Sequence, residues 1–316
     1  MLLLYAGLLG AMATGGQGRP AIHKLGTIDC DLVESTPVVY QGRLYRFEWV
    51  RWRYKHNYFG KRNYYRLLDV ETARWVGPFG LDHCFGCAYA EGQRLWVHGV
   101  PKGDSDRIDV FWSDDLNQWH SATALKLPGW GIFNTSVCKG PEGYIMAFEI
   151  GKPADIAGHP FTTCFARSDD LVHWELLDPH RYVYSRDRYT ACPSLRYVRG
   201  WYYMIYLEAL RGGYAPYIVR SRDLVSWESS PFNPIMRWGD EDKRIANPRL
   251  TAAEREHIAG ARNINNSDVD LAEWQGEVVI YYSWGNQHGT EFLAEARYKG
   301  TLGQFLEAWF PAETQP

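Results

Sequence analysis

The chain has 316 residues, 15% of them aromatic, including 14 Trp and 21 Tyr, and a formal net charge of −3. This balance excludes the basic surface a nucleic-acid partner would need, and no apolar run reaches the ~20 residues of a membrane-spanning helix. The length suits one repeat-built domain or two ordinary ones, and aromatic residues at this density suit short strands in packed sheets.

Met1 to Ala13 is apolar and ends in Ala11-Met12-Ala13, a cleavage-like pattern with no Lys or Arg in front. Residues 1–30 therefore read as an N-terminal arm or a signal segment. A signal would place the protein outside the cell or in a periplasm, and an arm in the cytoplasm.

From 31 to 312 one grammar recurs: an apolar strand, a turn with Gly, a second apolar strand. The first unit runs Ser35–Tyr40, Gln41-Gly42 and Leu44–Val50, then a basic aromatic loop (Arg51–Lys61) and Tyr64–Leu68. The second begins near Asp82 and turns at Glu91-Gly92 into Leu95–Gly99. The third begins at Asn134 and turns at Pro141–Gly143 into Tyr144–Ile150. The fourth begins near Thr190 and turns at Arg199-Gly200 into Trp201–Glu208. An insertion over about 233–264 follows, in which Thr251 and Glu254 form a capping box opening a helix. The fifth unit begins near Ser267 and turns at Gln275-Gly276 into Val278–Trp284.

A phrase punctuates these units: Ser113-Asp114-Asp115-Leu116 to Trp119, Ser168-Asp169-Asp170-Leu171 to Trp174, and Ser221-Arg222-Asp223-Leu224 to Trp227. The tryptophans are 55 and 53 residues apart, and degenerate copies stand at Asp69–Trp75 and Gly300–Trp309. A period on the order of 40–50 residues with an aromatic signature marks propeller blades. The expected fold is thus all-β, a five-bladed β-propeller of four-stranded antiparallel blades forming one domain over 31–312, with a short helical insertion before the last blade. Asp and Ser bond their own backbone in turns, so the repeated phrase reads as structural.

In such a blade the first strand lies nearest the axis. The starts of first strands, the ends of second strands and the loops after them therefore share one face. That face collects Glu34, His83, Asn134, Asp268, Glu149, Glu208 and Trp284, with Arg51, Arg211 and His288 from loops. Carboxylates, imidazoles and aromatic rings suit a sugar site, where rings cover the apolar face of a sugar and carboxyls act as acid and base. For each residue the competing reading is a hydrogen bond between blades.

The six cysteines supply no zinc set, because Cys84 and Cys87 lack a second pair; they read as buried thiols. No cofactor is required by this pattern. A structural calcium assembled across blades in the axial channel stays a candidate, and nothing specifies an oligomeric state.

The run Ala191-Cys192-Pro193-Ser194-Leu195-Arg196-Tyr197-Val198-Arg199-Gly200-Trp201-Tyr202-Tyr203 resembles the fourth-blade signature of glycoside hydrolase family 43 and its five-bladed relatives. The Ser-Asp-Asp-Leu turns ending in Trp resemble that superfamily too. The resemblance implies a general base in the first blade, a tuning carboxylate in the third and an acid in the fourth. This chain has Glu34, Asn134 and Ala191 there, so the acid is missing. Its replacement would be Asp268, then Glu208, then His288, the last because the related family 117 takes its acid from a histidine. His83, Asn134, Glu149, Arg51, Arg211 and Trp284 would bind substrate.

The expected function is an inverting, exo-acting glycoside hydrolase on an oligo- or polysaccharide. Two rivals are a glycoside phosphorylase, with Arg51, Arg53, Lys55 and His56 holding phosphate, and a non-catalytic carbohydrate-binding propeller.

Overall fold

The computed structural model describes residues 18–311; the apolar segment Met1–Ala13 lies outside them. Strand β1 (His23–Cys30) comes first. Three four-stranded antiparallel sheets follow. The first holds β2 (Thr36–Tyr40), β3 (Arg43–Val50), β4 (Tyr64–Asp69) and β5 (Trp75–Phe79). The second holds β6 (Cys84–Glu91), β7 (Arg94–Val100), β8 (Arg107–Ser113) and β9 (His120–Lys126). The third holds β10 (Gly131–Gly140), β11 (Gly143–Lys152), β12 (Thr162–Ser168) and β13 (Glu175–Leu176), with α1 (Ala154–Ala157) between β11 and β12.

The remaining strands form one eight-stranded sheet. One half is β14 (Ala191–Val198), β15 (Trp201–Leu210), β16 (Gly213–Ser221) and β17 (Trp227–Ser229). The other is β18 (Asn265–Trp274), β19 (Glu277–Gly285) and β20 (Glu291–Lys299), completed by β1. Each half is antiparallel, and one parallel bridge, Tyr214 to Asn265, joins them. The innermost strands touch in a closed circuit: β2 on β6, β6 on β10, β10 on β14, β14 on β18, and β18 on β2.

The repeated phrase is a turn in all three copies, joining third strand to fourth. The Ser hydroxyl accepts the Leu backbone N–H at 2.9 Å in the first two copies. The Asp before Leu accepts the N–H groups two and three residues on at 2.8–2.9 Å, and the Trp indole donates to the Leu carbonyl at 3.1–3.3 Å. Leu116, Leu171 and Leu224 all take the left-handed conformation. This geometry is local, which is why it reads from sequence.

Two expectations are corrected. The Gly300–Trp309 copy is not a hairpin turn: it carries α3 (Leu302–Ala308), capped by Thr301. The outer strand of the last half-sheet comes instead from β1, antiparallel to β20 with His23 opposite Arg297. Residues 23–30 are therefore sheet, not arm. The inserted helix α2 (Ala252–Gly260) forms with Thr251 and Glu254 in the expected capping box. Before it, a 3₁₀ turn (Asp240–Lys243) buries Asp242, which accepts the Tyr282 hydroxyl at 2.8 Å and Lys24 Nζ at 2.7 Å and so pins the insertion to β1 and β19. No helix among the described residues is long and apolar enough to cross a membrane.

Candidate active site

Four inner strands break their ladder at the same end. Register shifts fall between Cys84 and Cys87, Ile132 and Thr135, Ala191 and Ser194, and Ser267 and Asp270. A bulge inserts a residue and re-aims its side chain. Phe85, Cys192 and Asp268 in these bulges, and Glu34 just before β2, all have φ between 51° and 53°. That region is costly for residues with a Cβ and is held where the surroundings over-determine it, often at functional sites. The result is a cavity of about 550 Å³ at the circuit's end, lined by Glu34, Phe85, Asn134, Glu149, Cys192 and Asp268 among others. A second, much smaller space of about 40 Å³ lies in the channel between the inner strands and shares Glu34, Asn134, Cys192 and Asp268 with it.

The cavity has an aromatic wall and an acidic floor. Trp49, Phe85, Phe133, Phe161 and Tyr189 run round it, with successive ring centroids 4.7, 5.6, 4.9 and 5.9 Å apart. On the floor, Glu149 Oε2 accepts the Cys192 backbone N–H at 2.7 Å and the Asn134 amide at 3.2 Å. The same amide lies 3.3 Å from Cys192 Sγ. Asp268 Oδ2 accepts the Ser267 hydroxyl at 3.0 Å, and the neighbouring Cys192 thiol favours its ionised form. Glu34 differs: its Oε2 is sealed from solvent and has no partner.

These environments separate the acids. Burial, followed by the charges of Asp268 and Glu149, pushes Glu34 well above the usual carboxylate range. Burial also pushes Glu149 up to about 7, against the two N–H donors that favour its ionised form. Asp268 is also raised, because burial outweighs the neighbouring Cys192, Ser283 and Ser267 groups that favour its ionised form. Three carboxyls this close do not all ionise near neutrality, so the floor holds at least one proton.

The structure brings Glu34, Asn134, Glu149, Asp268 and Arg51 to this cavity. Arg51 arrives already engaged: it bonds Asp31, and its Nη1 lies 2.5 Å from Glu291 Oε2. Five expected residues lie outside the lining. Trp284 is fully buried, stacks on Phe292 at 4.3 Å and donates to Thr27 Oγ1 at 2.8 Å, so it is core and cannot cover a sugar. His83 Nε2 sits 3.0 Å from Asp109 Oδ2 within the second sheet, because the bulge sends Phe85 inward in its place. Glu208 accepts the Tyr206 hydroxyl at 3.0 Å beside Arg188. Arg211 is exposed in the β15–β16 turn, and His288 is exposed in its loop between the lining residues Gln287 and Gly289. Sequence reasoning missed Cys192, the ring wall and Glu291. Only a predicted bulge after Ala191 would have signalled Cys192.

Among the described residues no group of three His, Cys, Asp or Glu is placed to hold a metal ion. In the channel, Asp270 accepts from Arg196 Nη2 at 2.5 Å and from the Ser194 hydroxyl at 2.8 Å. A guanidinium thus already balances this acid, one of three, with Glu34 and Asp268, that line the channel.

No family model and no curated protein matches the chain. Solved structures do. A thermostable family-43 glycoside hydrolase is 13% identical, with a TM-score of 0.63 over 88% of this chain and 93% of its own. A family-43 endo-arabinanase from Bacillus licheniformis is 11% identical, with a TM-score of 0.51 over 86% and 96%. A family-32 β-fructofuranosidase from Bombyx mori is 12% identical, with a TM-score of 0.54 over 89% of this chain and 62% of its own. The chain has the fold of these propeller glycoside hydrolases.

Proposed function

We propose that the protein is a glycoside hydrolase that removes a terminal sugar from an oligo- or polysaccharide, with Glu34 and Asp268 as its acid–base pair. We count the closed circuit of inner strands as five blades, the last one closed by β1. The observation that carries the reading is the convergence of Glu34, Glu149 and Asp268 from three sheets on one ring-walled cavity, with Glu34 the member that lacks any donor.

A buried carboxyl without donors holds its proton most tightly, and donors draw a carboxyl toward its ionised form. Glu34 is therefore the general acid and Asp268 the base, the reverse of what the resemblance implies for Glu34. Asp268, oriented by Ser267, takes a proton from a water whose oxygen attacks the anomeric carbon. As the glycosidic bond breaks, Glu34 gives its proton to the departing oxygen. Proton return from Asp268 to Glu34, directly or through solvent, resets the site. Glu149 sits behind the pair, and its partial charge keeps the proton on Glu34.

A floor closed by buried carboxyls, with only a small space beyond it, suits a chain terminus and supports exo action. Inversion is the reading supported by the Ser267 hydroxyl on Asp268, which holds that carboxylate where it can orient a water. Such pairs stand roughly 6.5–9.5 Å apart. Of the four cations of the phosphorylase reading, Arg51 is bonded to Asp31 and Glu291 and Lys55 and His56 face Glu254, which leaves Arg53 alone for a phosphate.

The test is turnover of a panel of aryl furanosides and pyranosides, with NMR of the first product. Release of one sugar with inverted anomeric configuration is expected. Saccharide binding without turnover on any glycan would favour the binding module, and turnover only with phosphate the phosphorylase.

A further inference from the structure

The cavity's floor and rim carry opposite charge. Glu34, Glu149 and Asp268 make the floor acidic, while the rim presents Arg53 from the β3–β4 loop and Lys102 from the β7–β8 loop, both exposed. Neighbouring surface cations are neutralised: Arg62 is paired with Asp82 and Lys152 with Asp104. Arg53 and Lys102 form no ion pair among the described residues. The acid nearest Arg53 in its effect, Asp31, is already bonded to Arg51. Beside them Trp52 is 56% exposed, and its backbone N–H is fixed by Asn63 Oδ1 at 2.8 Å. An exposed indole next to unpaired cations is a platform for a sugar ring that carries an anion.

Given the hydrolase reading above, on which this rests, we infer that the substrate is an acidic saccharide whose charged sugar lies on the rim, next to the sugar that is cleaved. The acidic floor rejects a carboxylate or sulfate on the terminal sugar, so that sugar is neutral. The rim holds its neighbour through Trp52, with Arg53 and Lys102 on the acid group. A uronate and a sulfate ester present the same chemistry to these cations.

The experiment compares acidic oligosaccharides from partial hydrolysis of pectin and of a sulfated galactan with their carboxyl-reduced and desulfated forms. Turnover is followed in the wild type, Arg53→Ala, Lys102→Ala and the double variant. The selectivity ratio, kcat/KM on the acidic form over that on its neutral counterpart, is expected to exceed one. It should fall about fivefold in each single variant and roughly twentyfold in the double, and also with added salt. Loss confined to the pectin or the galactan series identifies the acid group. A ratio of one, or one that the variants leave unchanged while both rates fall, overturns the inference. If no saccharide is turned over, the hydrolase reading fails by itself. Calorimetry with Glu34→Gln then decides the rim: binding of the acidic oligosaccharides that the double variant abolishes supports it, and equal binding of both forms overturns it.

Discussion

The backbone N–H of Cys192 donates to Glu149 Oε2 at 2.7 Å, tying the bulge of one inner strand to the end of the strand paired with its neighbour. Through this bond the left-handed turn at Cys192 sets the environment of a buried carboxyl. Glu149 is raised to about 7, so its protonated form is favoured by the fold. The stability this contributes is full below its ordinary value near 4.5 and is lost as pH rises through about 7.

Glu149→Gln, which keeps an oxygen for both donors, should therefore be stabilising in alkaline solution. Relative to the wild type, its advantage should grow by about 3 kcal/mol between pH 4.5 and pH 8. Urea denaturation at these two pH values measures it. A pH-independent difference would show that Glu149 titrates normally.

Asn134 stands where the resemblance implies a carboxylate, and its amide donates to Glu149 at 3.2 Å. Removing that donor in Asn134→Ala should raise the Glu149 carboxyl further above 7, by about one unit. Carbon-13 NMR titration of the labelled carboxyl reads it, and an unchanged or lower value contradicts the arrangement.

How much of this was legible in the sequence follows from the range of each interaction. The Ser-Asp-Asp-Leu turns and the Thr251–Glu254 cap bond within three residues of themselves, so composition and spacing sufficed. The closure of the last sheet by β1 joins His23 to Arg297 and leaves no local trace. In the site, Glu34, Asn134, Glu149 and Asp268 were legible as strand-end polar residues. His83 was not separable from Phe85, nor Ala191 from Cys192, because a bulge shifts by one residue which side chain points inward. Trp284 reads as a sugar platform or as core with equal ease, and only packing on Phe292 decides it. The pairing of Arg51 with Glu291 spans 240 positions.

The Cys192 thiol neighbours Asp268 and favours its ionised form. Cys192→Ala removes that donor, so Asp268 should hold its proton to higher pH and the acidic limb of the kcat/KM profile should move up. Cys192→Ser, which restores a donor, should bring the limb back. Identical profiles for all three would remove Cys192 from the positioning of the base.

Away from the cavity, Glu48 is fully buried and accepts Arg46 Nε at 2.6 Å and Arg66 Nε at 2.5 Å. Glu48→Ala leaves Arg66 without its counter-ion and Arg46 with only Asp29 at 3.7 Å, and should cost about 3–5 kcal/mol in stability. The same change should leave the pH dependence of kcat/KM in place. Chemical denaturation and a pH–rate profile check the two halves, and a loss under about 1 kcal/mol contradicts the buried cluster.

The proton assignment is tested most directly by varying the leaving group in Glu34→Gln and Asp268→Asn. A dinitrophenolate departs without protonation, so an enzyme lacking only its acid still cleaves a dinitrophenyl glycoside of the preferred sugar, whereas one lacking its base does not. Glu34→Gln should fall roughly 10²–10⁴-fold on the natural saccharide yet stay near wild-type rate on the dinitrophenyl glycoside, while Asp268→Asn should fall on both. The converse pattern, with Glu34→Gln inert on the activated substrate and Asp268→Asn rescued by it, would contradict the account.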